Sequence, residues 1–208
     1  MILRGEGRGF SAGLDRAAFT PEGLPGSVGL AEIARMPDEA AEELIRSYQE
    51  AFGWLGRTDL VSVAAVQGHA IGAGFQLALA CDLRVVADDA QFCMAEPSLG
   101  IVPDLGGTKR LVDAVGYSRA VEICLTGRRV GAAEAERIGL ATLVVPRDHL
   151  DVATGDLVAA MLAVPRNAAV ETKALLAAAA GRSQAEQEAA ERSAQLRRLR
   201  DLTGVPED

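Results

Sequence analysis

Short unbroken apolar runs alternate along this chain with stretches whose apolar residues recur every three or four positions. That pattern predicts buried strands alternating with helices. Residues 61–66, 83–87, 90–94 and 141–145 read as short buried strands, and the apolar opening Met1-Ile2-Leu3 reads as a strand that runs into a turn at Gly5, as though the chain began late. Residues 38–55 read as a helix with Asp38 as its N-cap and Leu44, Ile45, Tyr48, Phe52 and Leu55 on one face. Further helices are expected over 75–80, 107–116, 118–126, 132–138 and 148–163. The Ala-rich stretch 166–200 is helical by propensity, with a break near Gly181. Residues 5–15 and 68–74 are glycine-rich and read as turns, and residues 16–37, holding Pro21, Pro25 and Pro37, read as a mobile surface segment. The alternation defines an α/β chain, divided into a core over 1–145 and a helical C-terminal region over 146–208.

Composition narrows the function. With 49% hydrophobic but only 4% aromatic residues, the core must be built from Ala, Leu, Val and Ile, and no base-stacking surface stands out. A net charge of −8 argues against a broad footprint for nucleic acid or anionic lipid. Cys81, Cys93 and Cys124 are odd in number and form no C-x-x-C pair, which argues against a disulfide framework or structural zinc and suits a reducing cytoplasm. No apolar run is long enough to span a bilayer, and the N-terminus carries no secretory-signal pattern.

Each glycine-rich loop follows a strand-like segment, so the two are able to bring backbone N–H groups to one point. Taken alone, both are tight turns. Together they form a device for stabilising negative charge on a carbonyl oxygen, reinforced by the helix N-terminus after the second loop.

At these residues the chain resembles a known family. Phe10-Ser11-Ala12-Gly13-Leu14-Asp15 resembles the F-S-A-G-x-D loop of the enoyl-CoA hydratase/isomerase (crotonase) superfamily. The run from Gln67-Gly68-His69 through Gly72-Ala73-Gly74 to Cys81-Asp82 resembles its second signature, and Ala90-Gln91-Phe92, Glu96, Leu99-Gly100, Pro103 and Gly106 through Leu111 resemble its third. The match continues through Leu125-Thr126-Gly127, 132–140 and Val144-Val145, and weakly at Lys173. The resemblance implies a crotonase-like (ClpP/crotonase) spiral of ββα units with a helical C-terminal trimerisation region, assembled as a homotrimer or hexamer. It implies an acyl-CoA thioester as substrate, with CoA entering as part of that substrate and no metal or redox cofactor. Against the family pattern two departures are expected: N-terminal strands absent before Met1, and the usual ending replaced by Arg197-Arg198-Leu199-Arg200.

Carried over residue by residue, the resemblance places the oxyanion-hole N–H groups on Leu14 and Ala73. Hydratases of the family use two glutamates, at the positions of Gln76 and Glu96. Here the first is an amide, which orients a water or a substrate but takes no proton at neutral pH. Glu96 stays as the candidate base, its backbone restricted to extended geometry by the following Pro97. Asp104, eight residues on, matches a second acid of the dienoyl-CoA isomerase branch, though a turn residue in Pro103-Asp104-Leu105-Gly106 is an equal reading. One carboxylate suits double-bond migration better than water addition, so isomerisation of an enoyl-CoA is the expected activity. Enoyl-CoA hydration and non-catalytic acyl-CoA binding are the alternatives. His69, His149, Lys109, Lys173 and the C-terminal arginines read as structural or solvated, and Asp15 and Asp82 as local hydrogen bonders.

Overall fold

Two small sheets receive the strands in turn. The computed structural model describes residues 1–20 and 28–204. β1 (Ile2–Arg4), β2 (Val63–Val66), β4 (Leu83–Ala87) and β7 (Leu143–Val145) form one all-parallel sheet in the order β1-β2-β4-β7, while β3 (His69–Ile71), β5 (Gln91–Cys93) and β6 (Val130–Gly131) form the other in the order β3-β5-β6. The chain lays β2 in the first sheet and β3 in the second before helix α3 (Ala73–Ala80), then β4 in the first and β5 in the second before α4 (Gly107–Val115) and α5 (Tyr117–Thr126). This is the expected spiral of ββα units. Every residue of β2 is buried, as a strand flanked on both sides in a parallel sheet requires.

The strands register through Val63↔Leu83 to Val66↔Val86 in the first sheet and His69↔Gln91 to Ile71↔Cys93 in the second. That second register carries the site, because it aligns the end of β3 with the end of β5. The core is aliphatic and Ala-rich, with Phe75 and Phe92 tilted against each other at 5.1 Å between ring centroids.

Several elements differ from the sequence reading. The first helix of any length, α2 (Asp38–Gly53), is capped by Pro37 with no side-chain hydrogen bond, so Asp38 is its first residue rather than its N-cap, and Trp54–Gly56 tightens into a 3₁₀ turn. The glycine-rich stretch 68–74 is not all turn: its His-Ala-Ile centre is β3, because a parallel partner at β5 claims its backbone groups. α3 starts at Ala73, two residues earlier than the apolar pattern indicates. Within the stretch read as mobile, Arg16–Phe19 is a 3₁₀ turn capped by the Asp15 carboxylate and α1 (Leu30–Ile33) is helical; Pro21 and Pro25 lie outside the described residues. β6 was not legible, since Val130-Gly131 becomes a strand only by pairing antiparallel with Phe92 and Gln91.

The chain separates into two compact units, Met1–Gly56 with Val61–Thr154, and Arg57–Leu60 with the residues from Gly155 onward. The first unit also holds α6 (Ala132–Arg137), and α7 (Leu150–Leu162) carries the chain from one unit into the other. In the second, α8 (Arg166–Ala179) and α9 (Gln184–Thr203) pack together, tied by a bidentate Arg197–Glu171 pair at 2.7 and 2.8 Å; Lys173 donates to the carbonyls of Arg57 and Leu60 at 2.6 Å each. α9 starts at a reciprocal cap between Ser183 and Glu186. Among the described residues no helix is long and apolar enough to cross a membrane.

Candidate active site

The first glycine-rich loop is laced to β3 like a further strand. Phe10 N–H donates to Gln67 O at 2.8 Å, Ser11 N–H to His69 O at 2.9 Å, and Ile71 N–H returns to Ser11 O at 3.0 Å. Gly13 then takes φ +84°, its N–H on Ser11 Oγ at 3.2 Å, and presses so close to the end of β3 that a Cβ there would stand 2.4 Å from Ile71 O and 3.3 Å from Ala73 N. The backbone leading into Leu14 therefore lies against the first residue of α3. Ala73 opens that helix, so its N–H has no intrahelical acceptor. Neither the Leu14 nor the Ala73 N–H donates to a protein acceptor among the described residues. The Leu14 side chain is exposed.

The second loop is held from the other side, Gly72 N–H donating to Cys93 O at 2.8 Å. From Cys93 the chain continues to a 3₁₀ turn, Glu96–Leu99, so Glu96 opens a helical turn rather than standing extended before Pro97, which is accommodated in the first turn where no N–H is required. Glu96 is buried at 7% exposure, and its carboxyl sits beside Gly72: a Cβ there would stand 3.2 Å from Oε1 and 3.5 Å from Oε2. The acid thus lies at the positive end of α3, beside the residue that precedes Ala73. Its Oε1 accepts from Gln76 Nε2 at 2.8 Å, whereas Oε2 is buried with no hydrogen-bond partner. A buried carboxyl oxygen without a partner is costly, and such groups concentrate where chemistry uses them.

Gln76, fully buried in α3, also receives the N–H groups of Leu105 at 2.9 Å and Gly107 at 3.2 Å on its Oε1. The family resemblance pairs Gln76 and Glu96 as the positions of two glutamates, and the structure brings the two side chains into direct contact. Asp104 is half-buried in the loop just before Leu105. Its carbonyl accepts from Gln49 Nε2 at 2.8 Å, and its carboxylate makes no hydrogen bond or ion pair among the described residues. Gln49, on α2, drew no attention in the sequence because nothing local marks a partner 55 residues away. Ser11, whose hydroxyl orders the first loop, is found only through the motif that contains it.

The remaining candidates fall outside the pair. The His69 imidazole packs where a Cβ of Gly9 would be, 2.4 Å away. Asp82 accepts from Ser62 N–H and Oγ at 2.7 and 3.0 Å, and Lys109 pairs with Asp113. Burial pushes the Cys93 and Cys124 thiols up, and the Glu96 charge adds to both, while Arg129 opposes the shift at Cys93. Burial raises Cys81 from its ordinary 9.0 to about 11. An unfolded chain releases that proton near 9 and the native chain holds it, so this thiol's contribution to stability is present below pH 9 and lost as pH rises toward 11. Cys81 is accordingly expected to react with a thiol-specific disulfide reagent at pH 8 at least ~100-fold more slowly than a free cysteine of pKa ~8.5. Stopped-flow labelling of single-cysteine variants measures this. Cavities of about 250 and 240 Å³ are lined by Asn167, Arg197 and Arg198 among others, and by Arg4, Gln67 and Arg147 among others; neither lining includes the Gln76–Glu96 pair.

A buried carboxyl with one unclaimed oxygen, set at the start of α3 on a two-sheet spiral of ββα units, defines a protein of the crotonase-like class. The family model described as Enoyl-CoA hydratase/isomerase matches residues 1–200, and the chain belongs to that family. It is 36% identical over 151 residues to the probable enoyl-CoA hydratase echA8 of Mycobacterium bovis, covering 72% of this chain and 52% of that protein. To the mitochondrial Delta(3,5)-Delta(2,4)-dienoyl-CoA isomerase of Dictyostelium discoideum it is 34% identical over 150 residues, covering 72% and 50%. A Thermobifida fusca YX protein crystallised in complex with CoA superposes with a TM-score of 0.91 at 50% identity over 98% of this chain and 77% of that one. The chain spans about half the length of these curated relatives.

Proposed function

We propose that this chain binds an acyl-CoA thioester and moves the double bond of an enoyl-CoA by proton transfer through Glu96. The observation that carries the reading is the 2.8 Å contact between Glu96 Oε1 and an amide, Gln76 Nε2, where two-glutamate hydratases of the family place a second acid. In this mechanism the thioester oxygen lies between the N–H groups of Leu14 and Ala73. The Glu96 carboxylate takes a proton from C2 of a 3-enoyl thioester, and the electron pair spreads through C3=C4 and onto the thioester oxygen as a dienolate. The same proton returns at C4, leaving the double bond between C2 and C3. The two backbone donors stabilise the dienolate oxygen, and Glu96 begins and ends ionised. Asp104 is the candidate assistant, one residue from the Leu105 N–H that Gln76 holds.

CoA in complex with the Thermobifida fusca YX relative supports a CoA ester as ligand. Exposed Leu176, Leu196, Leu199 and Leu202 on α8 and α9 support the reading of a homotrimer or hexamer, and three free thiols support a cytoplasmic setting. The test incubates the protein with 3-hexenoyl-CoA and with crotonyl-CoA and follows the conjugated thioester absorbance. Formation of the 2-enoyl ester is expected to outpace its hydration. Equal or faster hydration makes the chain a hydratase, and binding without turnover makes it an acyl-CoA-binding protein.

A further inference from the structure

We propose that Gln76 is a positioning residue that acts through Glu96, holding the carboxyl by Oε1 so that Oε2 alone exchanges a proton with substrate. The inference rests on the isomerase reading for its kinetic consequence, but not for its geometry. A glutamine amide has one accepting end and one donating end, and here the neighbours decide which faces where. Leu105 and Gly107 offer backbone N–H groups, which only donate, so the end facing them at 2.9 and 3.2 Å is Oε1. The other end, Nε2, then faces Glu96 Oε1 at 2.8 Å and must donate to it. With one of its two lone pairs engaged by a donor, Oε1 is the weaker proton acceptor of the two oxygens. The remaining oxygen, Oε2, is buried and has no protein partner.

The clamp is rigid at both ends. Gln76 lies in the first turn and a half of α3, fully buried, with its own N–H on Gly72 O at 2.9 Å, so the residue that orients the acid is tied to the loop that presents the Ala73 N–H. Its second pair of bonds anchors the loop after Asp104 and the start of α4. Holding a reacting group in one geometry is itself a large factor in rate, since a misplacement of ~1 Å costs roughly a hundredfold. An amide rather than an acid also leaves Glu96 without a second carboxyl to share a proton with. The neutral clamp thereby specialises the site for carrying one proton between two carbons.

The test reads Glu96 directly. Protein labelled with ¹³C at glutamate side-chain carboxyls is examined by NMR, the Glu96 resonance being identified by its disappearance in Glu96→Gln. Gln76→Met removes all three hydrogen bonds. Gln76→Asn keeps a neutral amide whose side chain is too short to reach Glu96, so it removes the clamp without adding a charge and decides the matter if the methionine variant does not fold. The Glu96 resonance is expected to move in both, and kcat for 3-enoyl isomerisation to fall about tenfold to a hundredfold with KM unchanged, as loss of a hydrogen bond to a charged group implies. An unmoved resonance in a folded variant overturns the proposal, as does a rise in KM with kcat held, which would mean Gln76 contacts substrate instead. If the unaltered protein turns over no enoyl ester, a moved resonance upholds the placement of Gln76 while the isomerase reading falls.

Discussion

Glu96→Gln is expected to lower isomerisation of 3-enoyl thioesters by about 10²- to 10⁴-fold, the range a positioned general base supplies, while leaving the fold and thioester binding in place. The substitution is nearly isosteric, and the geometry accommodates it. The new side chain keeps a carbonyl oxygen for Gln76 Nε2 and puts an NH₂ where buried Oε2 stood. What disappears is the capacity to hold a proton between its removal from one carbon and its return to another. The measurement is the rate of conjugated-thioester formation, set beside the affinity for a saturated acyl-CoA by calorimetry. A variant that retains its rate would show that another group carries the proton, and Asp104 would be the first to replace in turn.

Gly13→Ala is expected to cost both stability and rate. The residue sits at φ +84°, where an L side chain costs roughly 1–2 kcal/mol. Its Cβ would stand 2.4 Å from Ile71 O, a backbone atom fixed in β3, so the loop must shift, at a further cost of about 1–3 kcal/mol. The total lies near 2–5 kcal/mol against a typical stability of ~5–15, a lowering of Tm on the order of 10 °C for a chain of this length. The shift also withdraws the backbone at Leu14 from the Ala73 N–H. Loss of one such donor costs about two to three decades in rate. Circular-dichroism melting and the isomerisation assay, run on the folded fraction, separate the two effects. A lowered Tm with an undiminished rate would take Leu14 out of the oxyanion site.

How far the molecule was legible varies with the range of the forces that shape each part. α4 and α5 lie within a residue or so of where apolar spacing puts them, because an amphipathic helix is written in its own period. α9 (Gln184–Thr203) lies between the caps Ser183 and Gly204, and its Ser183–Glu186 cap is local chemistry. β3 went unread because three residues inside a glycine-rich run carry no period, and only pairing with β5 and with Ser11 makes them a strand. The Asp38 cap failed for a related reason: Pro37, with its preset φ, already supplies the extended residue before the helix. The arginines of the C-terminal run are not all solvated, since Arg197 closes on Glu171 of α8 across 26 residues of sequence.

The order of residues by itself determined the α/β alternation, the two glycine-rich loops and the family, because these reside in spacing and in residue types that act over a few positions. Tertiary structure decided which atoms meet. The Ile71↔Cys93 register brings the end of β5 to the start of α3, and through it sets Glu96, twenty residues beyond Gln76, against that amide. The direction of the hydrogen bond, and the choice of Oε2 as the free oxygen, follow from two backbone N–H groups some thirty residues further along the chain from Gln76. Such donors look the same in every sequence, and only folding aims them.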